Sequence, residues 1–232
     1  MLTSFLDRTM RRRSFFRIAG ATTAASALLL AGCGTDDPEP VAAPSNVLVL
    51  AAGDVGLLNY AYLLEQLEAA FYQKVLGALP TDLLPGEKEA LTALRDHEVI
   101  HREFFKFALA DQAITTFTFD FTSLSLTSRV GVFTAAKKLE DLGVAAYNGI
   151  GKLLLNGGYL TLIGKIASVE ARHAAFVRDA LQPNSFGVAD ATTIVTTGDY
   201  AGLNVTMTPA QVLTAAAAFF PFTIDTSKLP TA

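Results

Sequence analysis

Four long segments of this chain carry apolar and polar residues in the pattern of amphipathic helices, with prolines and glycines at their ends. Pro80 and Pro85 separate the first segment from the second, and Asn156-Gly157-Gly158 is expected to end the third. The predicted helices span about residues 54–79, 86–110, 128–155 and 159–181.

The connections between these helices differ in length. The first-to-second and third-to-fourth connections are short, which predicts antiparallel neighbours, whereas about residues 111–127 separate the second helix from the third. A connection of that length lets the chain travel along a bundle, so it predicts a crossover. Within it, Thr116 to Phe121 alternate polar with aromatic residues, which predicts an extended segment with one side laid on the helices.

The segment after the fourth helix is rich in Thr and Gly. It is predicted to hold one short helix, with Thr208 as N-cap and Pro209 at the first helical position, running through Ala218. The sequence therefore predicts an all-α fold. A four-helix bundle over residues 54–183 is followed by a C-terminal extension over residues 184–232.

The composition narrows the candidate partners. The chain is 51% hydrophobic and 17% charged, below the roughly 25% charged residues of average soluble domains. Its formal net charge is −4, and no basic stripe lies outside the N-terminal leader, so nucleic acid is not an expected partner. The single cysteine, Cys33, excludes an intrachain disulfide and a Cys-x-x-Cys metal centre.

The N-terminus has the features of an export signal. The run Arg11-Arg12-Arg13-Ser14-Phe15-Phe16-Arg17 resembles the twin-arginine motif, and a short apolar run from Ala19 to Ala31 follows it. Leu30-Ala31-Gly32-Cys33 resembles a bacterial lipobox. These resemblances imply export by the twin-arginine route, cleavage before Cys33 and lipidation of its thiol.

Residues 1–33 are therefore interpreted as a signal peptide and residues 34–53, with their prolines and acidic residues, as a flexible tether. This organisation predicts a periplasmic or cell-surface protein whose only membrane contact is its lipid anchor. The alternative is a signal-anchor helix with an incidental cysteine.

A duplicated order of acidic residues and histidines runs through the four predicted helices. One Glu is followed by a Glu-x-x-His motif after 33 positions in the first copy and after 30 in the second. The residues are Glu65, Glu98 and His101, then Glu140, Glu170 and His173. A Tyr follows the first Glu of each copy by seven residues, Tyr72 and Tyr147. This is the arrangement of a two-metal carboxylate site inside four helices.

The residue types suit such a site. Helical residues three positions apart lie on one face, so each Glu-x-x-His presents both side chains to the same side. If that face points inward, the four carboxylates bring about four negative charges into the interior, which is costly unless cations pair with them. Two divalent cations neutralise these charges, and two neutral imidazoles complete the coordination. Mixed oxygen and imidazole ligation favours iron or manganese, although zinc accepts the same donors.

The pattern resembles the ferritin-like superfamily, including its exported, rubrerythrin-like and desiccation-related members. The resemblance covers about residues 57–181. It implies two divalent metal ions as cofactor, with iron preferred over manganese. It also implies a role for each residue. Glu65 and Glu140 would be the ligands from the helices with a single Glu, and Glu98 and Glu170 the bridging carboxylates. His101 and His173 would be the terminal nitrogen ligands.

The resemblance also implies candidate activities, namely Fe(II) oxidation, peroxide reduction or manganese-dependent peroxide dismutation, with dioxygen or peroxide as partner. The cysteine-held second iron site of rubrerythrins is absent from this sequence. The tether, the crossover and the C-terminal extension disfavour a storage cage, whereas a homodimer paired through the apolar tail is a candidate. The alternative function is a non-catalytic module related to stress or desiccation, with structural metal or none. No catalytic residue is assigned.

Four further residues are candidates for contacts around the ligand set: Glu68, Tyr72, His97 and Tyr147. Glu68 lies one turn from Glu65 on the same face, but Gly143 stands in the matching position of the second copy. We therefore prefer Glu65 as ligand and Glu68 as an extra ligand or an outer acid. His97 is interpreted as an outer contact or a surface residue. The two Tyr either bind ligand carboxylates or are core aromatics.

Overall fold

The computed structural model describes residues 46–187 and 193–231. Its main elements are the four long helices α1 (Gly53–Gly77), α2 (Glu87–Leu109), α3 (Arg129–Gly151) and α4 (Gly157–Leu181). The predicted all-α helical bundle is confirmed. The observed helix ends lie within about one turn, roughly four residues, of the predicted ones.

The helices pack as two pairs around a layered core. Helix α1 packs along α2, α3 packs along α4, and α1 also contacts α3. Two clusters of buried apolar side chains fill the interior. The first takes residues of α1 up to Leu64, and the second takes residues of α1 from Leu67 onward. Glu65 therefore lies where one apolar cluster ends and the other begins.

The boundary between α3 and α4 differs from the prediction. Helix α3 ends at Gly151, and Asn156 is the N-cap of α4. Asn156 Oδ1 accepts hydrogen bonds from the backbone N–H groups of Gly158 (2.8 Å) and Tyr159 (3.3 Å). Its own N–H donates to Asp54 Oδ2 at 2.9 Å. The expectation that Asn156-Gly157-Gly158 stops α3 was wrong, because an Asn side chain satisfies the free N–H groups that begin a helix.

The long connection between α2 and α3 lies against the bundle. A 3₁₀ turn (Ala110–Gln112) is followed by irregular chain up to α3. Phe117 and Phe119 are half-buried and Phe121 is buried, while the residues between them are exposed, which confirms the predicted alternation. The backbone N–H of Phe117 donates to Gln66 Oε1 of α1 at 2.9 Å. These contacts hold the connection on the helices.

The C-terminal extension contains the predicted short helix, α5 (Pro209–Ala215). Thr208 caps it, and the side chain of Gln211 bonds back to the backbone of Thr208, which is a complete capping box. The helix ends before the expected Ala218, and a 3₁₀ turn (Ala217–Phe219) follows.

A short parallel ladder joins the two ends of the described chain. Strand β1 (Val47–Val49) pairs with β2 (Thr223–Asp225) in parallel. This pairing was not predicted, and β1 lies within the range expected to be a flexible tether. The aromatic rings of Phe117 and Phe222 lie 4.4 Å apart between centroids, so the extension also packs on the connection between α2 and α3.

The predicted signal peptide, Cys33 and tether residues 34–45 lie outside the described residues. Within the described part of the chain, no helix has both the length and the apolar character that a membrane crossing requires.

Candidate metal centre

The six residues of the duplicated pattern come together inside the bundle, at the level where the two apolar clusters meet. Helices α1 and α3 provide one Glu each, and α2 and α4 provide one Glu-x-x-His each. The carboxylates are fully buried, and the imidazoles are 8% and 5% exposed. The side chains are those of Glu65, Glu98, His101, Glu140, Glu170 and His173.

Their atoms form two groups. In the first, His101 Nδ1 lies 3.4 Å from Glu65 Oε2, 3.4 Å from Glu98 Oε2 and 2.9 Å from Glu170 Oε1. One ligand atom from each of these four residues falls within 4.8 Å of all the others. The first group therefore combines three carboxylates with one imidazole.

The second group mirrors the first. His173 Nδ1 lies 2.7 Å from Glu98 Oε1, 3.6 Å from Glu140 Oε2 and 3.8 Å from Glu170 Oε2. Glu98 and Glu170 thus contribute one oxygen to each group. Glu98 and Glu170 are therefore the two carboxylates that both groups have in common.

The hydrogen bonds of the six residues show whether their side chains suit metal ions. Eight of the buried ligand atoms make no hydrogen bond of acceptable geometry. They are Glu65 Oε2, both oxygens of Glu98, His101 Nδ1, Glu140 Oε2, both oxygens of Glu170 and His173 Nδ1. Buried polar atoms without partners are rare and costly in folded proteins. Two cations would satisfy all eight, so the residues present fit a pair of metal ions.

Two tyrosines hold the outer carboxylates. The Tyr72 hydroxyl of α1 donates to Glu140 Oε1 of α3 at 2.5 Å, and the Tyr147 hydroxyl of α3 donates to Glu65 Oε1 of α1. Each bond occupies one carboxylate oxygen and leaves the other, Oε2, facing an imidazole nitrogen. Both rings are also buried in the apolar clusters. Each tyrosine is therefore both a core aromatic and a partner of a ligand carboxylate.

His97 contacts the centre from outside. It is an exposed residue of α2, and its Nδ1 lies 2.9 Å from His173 Nε2. The two imidazole rings stack with centroids 5.1 Å apart. This contact engages the outer nitrogen of His173 and leaves Nδ1 for the carboxylates. His97 is therefore both a surface residue and an outer partner of a candidate ligand.

Glu68 lies beside the centre but outside both groups of converging atoms. It is 3% exposed, and its Oε2 has no hydrogen-bond partner. Burial, reinforced by the negative charges of the four ligand carboxylates, holds the pKa of Glu68 well above its usual range.

The protonation of the centre follows from its burial and charge. Burial raises the pKa of Glu65 and Glu98, and it raises that of Glu140 to about 7. Burial opposes protonation of the imidazoles, but the surrounding carboxylates outweigh it and raise the pKa of His173 to about 12, with His101 raised as well. Protons on the histidines therefore take the cationic role that metal ions would fill.

A shallow apolar cavity of about 240 Å³, open to solvent, lies between α2 and α4 beside the centre. It is lined by Ile100, His101, Phe104, Leu162, Lys165, Ile166 and Val169. His101 is the one residue of this lining that also belongs to the centre. This cavity was not predicted, because its lining residues form no motif that distinguishes them from other positions of amphipathic helices.

The comparisons with known proteins agree with this geometry. The family model described as ferritin-like domain matches residues 53–183, more than half of the 232 residues. No curated protein matches the chain at a significant level. The matched range contains all four long helices and the whole centre. On this match, the chain belongs to the ferritin-like domain family.

Proposed function

We propose that this protein is an exported ferritin-like protein that binds two divalent metal ions and handles iron or reactive oxygen at the cell envelope. The observation that carries the proposal is the pair of three-carboxylate, one-imidazole groups that share Glu98 and Glu170. Independent surface acids do not produce two matched groups with common members inside a bundle core.

The donor set favours iron, with manganese as the second choice. Four carboxylates and two imidazoles are hard and borderline donors, and the described part of the centre offers no thiolate, which soft metals prefer. Two divalent ions would balance the four carboxylate charges if both imidazoles bind as neutral ligands. Such a pair supplies Lewis-acid and one-electron redox chemistry toward dioxygen or peroxide.

The protein's own residues prepare the site for this chemistry. Tyr72 and Tyr147 fix the orientation of the outer carboxylates before metal binds. The contact with His97 orients His173 so that Nδ1 faces the interior. The two apolar clusters keep water away on both sides, which strengthens the electrostatic interactions inside.

The apolar cavity between α2 and α4 is consistent with a small substrate. Its volume of about 240 Å³ and its apolar lining suit dioxygen or peroxide rather than a large polar molecule. Because His101 lines this cavity, an oxidant that binds there would lie on the side of the first group. We propose this cavity as the oxidant's route.

The proposed location rests on the N-terminal sequence. The twin-arginine motif and the lipobox at Cys33 support export of a folded protein followed by lipid anchoring. The twin-arginine route carries folded and often cofactor-loaded proteins, so it is consistent with metal insertion before export. The site of action would then be the periplasm or the cell surface.

The test begins with metal-free protein titrated anaerobically with Fe(II). We expect about two ions per chain, followed by growth of ferric absorbance when dioxygen or peroxide is added. The double variant Glu98→Ala/Glu170→Ala should bind neither ion, because both shared carboxylates are removed. Glu89→Ala, on the exposed face of α2, is the matched control and should behave as the wild type.

Two outcomes would count against the proposal. Persistence of two tightly bound ions in the double variant would show that the assigned centre is not the binding site. Wild-type protein that binds no metal and does not respond to Fe(II) would instead favour a non-catalytic protective module related to stress or desiccation.

A further inference from the structure

All three histidines of the chain stack into one array that runs from the protein surface to the centre. The ring centroids of His97 and His173 lie 5.1 Å apart, and those of His101 and His173 lie 6.2 Å apart. His97 is exposed, whereas His101 and His173 are buried and belong one to each group of the centre. The array therefore connects the solvent with both groups through three aromatic rings.

The surface beside His97 is apolar. Ile100 lies one helical turn from His97 on α2, and Phe176 lies one turn from His173 on α4. Both side chains are 41% exposed, which is unusual for residues of their size. Val169 of α4 is half-buried and lines the adjoining cavity. An exposed ring among apolar side chains is a surface that a second molecule can cover.

Positive charge borders this apolar surface. Lys165 and Arg172 of α4 are both exposed. Burial, the neighbouring imidazoles and the positive charge of Arg172 lower the pKa of His97, so this guanidinium lies close enough to act on the ring. The acids of α2 in the same turns are each paired with the preceding arginine, Asp96 with Arg95 at 2.6 Å and Glu103 with Arg102 at 2.7 Å. The charge that remains beside His97 is therefore positive.

The proposed chemistry needs electrons that the described residues do not store. Reduction of dioxygen or peroxide consumes electrons, and iron that has been oxidised must be reduced before the next cycle. The described part of the chain has no cysteine, and its only groups of metal-ligating side chains are the two that share Glu98 and Glu170. A donor outside the chain must therefore supply the electrons.

We propose that the face of α2 and α4 around His97 docks a small acidic one-electron donor protein, and that the histidine array conducts its electrons to the centre. This inference rests on the proposed two-metal site. In each encounter the donor loses one electron and one iron ion gains it, so two encounters return both ions from Fe(III) to Fe(II). Complementary charge steers such an encounter, and a small apolar contact lets the donor dissociate quickly.

The first experiment measures docking on the metal-free protein, where redox chemistry plays no part. The probe is a small acidic [2Fe–2S] ferredoxin in its oxidised form, and binding is followed by the amide NMR signals of the labelled protein. We expect signal changes confined to the face around His97 and loss of binding at high salt.

Two charge reversals test this docking face. Arg172→Glu should weaken ferredoxin binding about tenfold at low salt, because it replaces attraction with repulsion beside His97. Lys88→Glu makes the same change of charge at an exposed position on the opposite face of α2, so it should bind as the wild type does.

The second experiment follows electron transfer to the iron-loaded, oxidised protein. Reduced ferredoxin is mixed in a stopped-flow instrument, and the loss of ferric absorbance is recorded at equal iron content. His97→Ala should bind the ferredoxin as the wild type does but accept its electrons severalfold more slowly, because a ring is missing from the array. His97→Phe keeps a ring in the stack and should restore most of that rate.

The inference is overturned if the ferredoxin does not bind, if it binds another face, or if Arg172→Glu and Lys88→Glu bind it equally well. A basic c-type cytochrome that binds this face as tightly, or a wild-type rate in His97→Ala, also overturns it. Failure of the wild type to load two iron ions would instead refute the two-metal site, and the experiment on the metal-free protein would still decide whether the docking face exists.

Discussion

The hydrogen bonds from Tyr72 and Tyr147 give a quantitative test of how the centre is prepared. Each hydroxyl donates to the outer oxygen of a buried carboxylate on the facing helix. Replacing Tyr with Phe removes one such bond without changing the ring. Loss of an outer partner that orients a metal ligand typically weakens metal binding about 10- to 100-fold. At about 1.4 kcal/mol for each tenfold change, this corresponds to about 1.4–2.8 kcal/mol.

The effect should be specific to one ion. Tyr147→Phe frees the carboxylate of Glu65, which belongs to the group of His101, whereas Tyr72→Phe frees Glu140, which belongs to the group of His173. Calorimetric titration of the metal-free variants with Mn(II) should therefore show one weakened ion and one near the wild-type affinity.

Tyr60→Phe is the matched control for this experiment. Tyr60 is a fully buried residue of α1 whose hydroxyl has no hydrogen-bond partner. Its replacement should change the affinity of neither ion by more than about twofold, roughly 0.4 kcal/mol. The reasoning would be refuted if Tyr60→Phe weakened binding as much as Tyr147→Phe, or if both ligand-linked variants bound two ions with unaltered affinity.

Three further outcomes are expected. The carboxylates hold protons on His101 and His173 in the metal-free state, so metal binding at neutral pH should release protons. Metal affinity should therefore fall about tenfold for each unit by which the pH is lowered, for each proton displaced. Calorimetry in buffers of different ionisation enthalpy measures that number. Leu162→Trp should fill the apolar cavity and slow the oxidation of bound Fe(II) severalfold, with little effect on Fe(II) affinity. Leu160→Trp, at an exposed position of the same helix, should leave the oxidation rate unchanged. Stopped-flow absorbance measures the two rates. Gly149→Ala should destabilise the fold by about 1–3 kcal/mol, measured by urea unfolding, because its methyl group would overlap the backbone oxygen at position 207 on the extension.

A specific result would contradict each of these three predictions. Binding that releases no proton between pH 6 and 8, about the neutral range, would show that the histidines are not protonated in the metal-free state. Equal oxidation rates in Leu162→Trp and Leu160→Trp would remove the cavity from the oxidant's route. Gly164→Ala is the control for Gly149→Ala, since no atom lies within 4 Å of the added methyl group, and equal stability of the two variants would contradict the packing argument.

The sequence predicts the centre better than its surroundings. A duplicated Glu and Glu-x-x-His order identifies residues on four helices because helical spacing places each pair on one face. The matched spacing of Tyr72 and Tyr147 likewise corresponds to a pair of hydrogen bonds that cross between α1 and α3. Local periodicity carries this information, so a single sequence is enough to find it.

Features that depend on distant parts of the chain could not be predicted. The strands Val47–Val49 and Thr223–Asp225 are each 3 residues long and pair across almost the whole described chain, so neither has a recognisable local pattern. Asn156 was misassigned because an Asn-Gly sequence serves helix ends and helix starts alike. The close approach of Glu68 to Gly143 becomes visible only when α1 and α3 are packed together.

Anomalous diffraction from crystals of the iron-loaded protein, recorded at the iron absorption edge, would locate the metal ions directly. We expect two peaks about 3.5–4 Å apart, one beside His101 and one beside His173, with Glu98 and Glu170 between them. A single peak at the protein surface, or no peak among these carboxylates in crystals shown to contain iron, would contradict it.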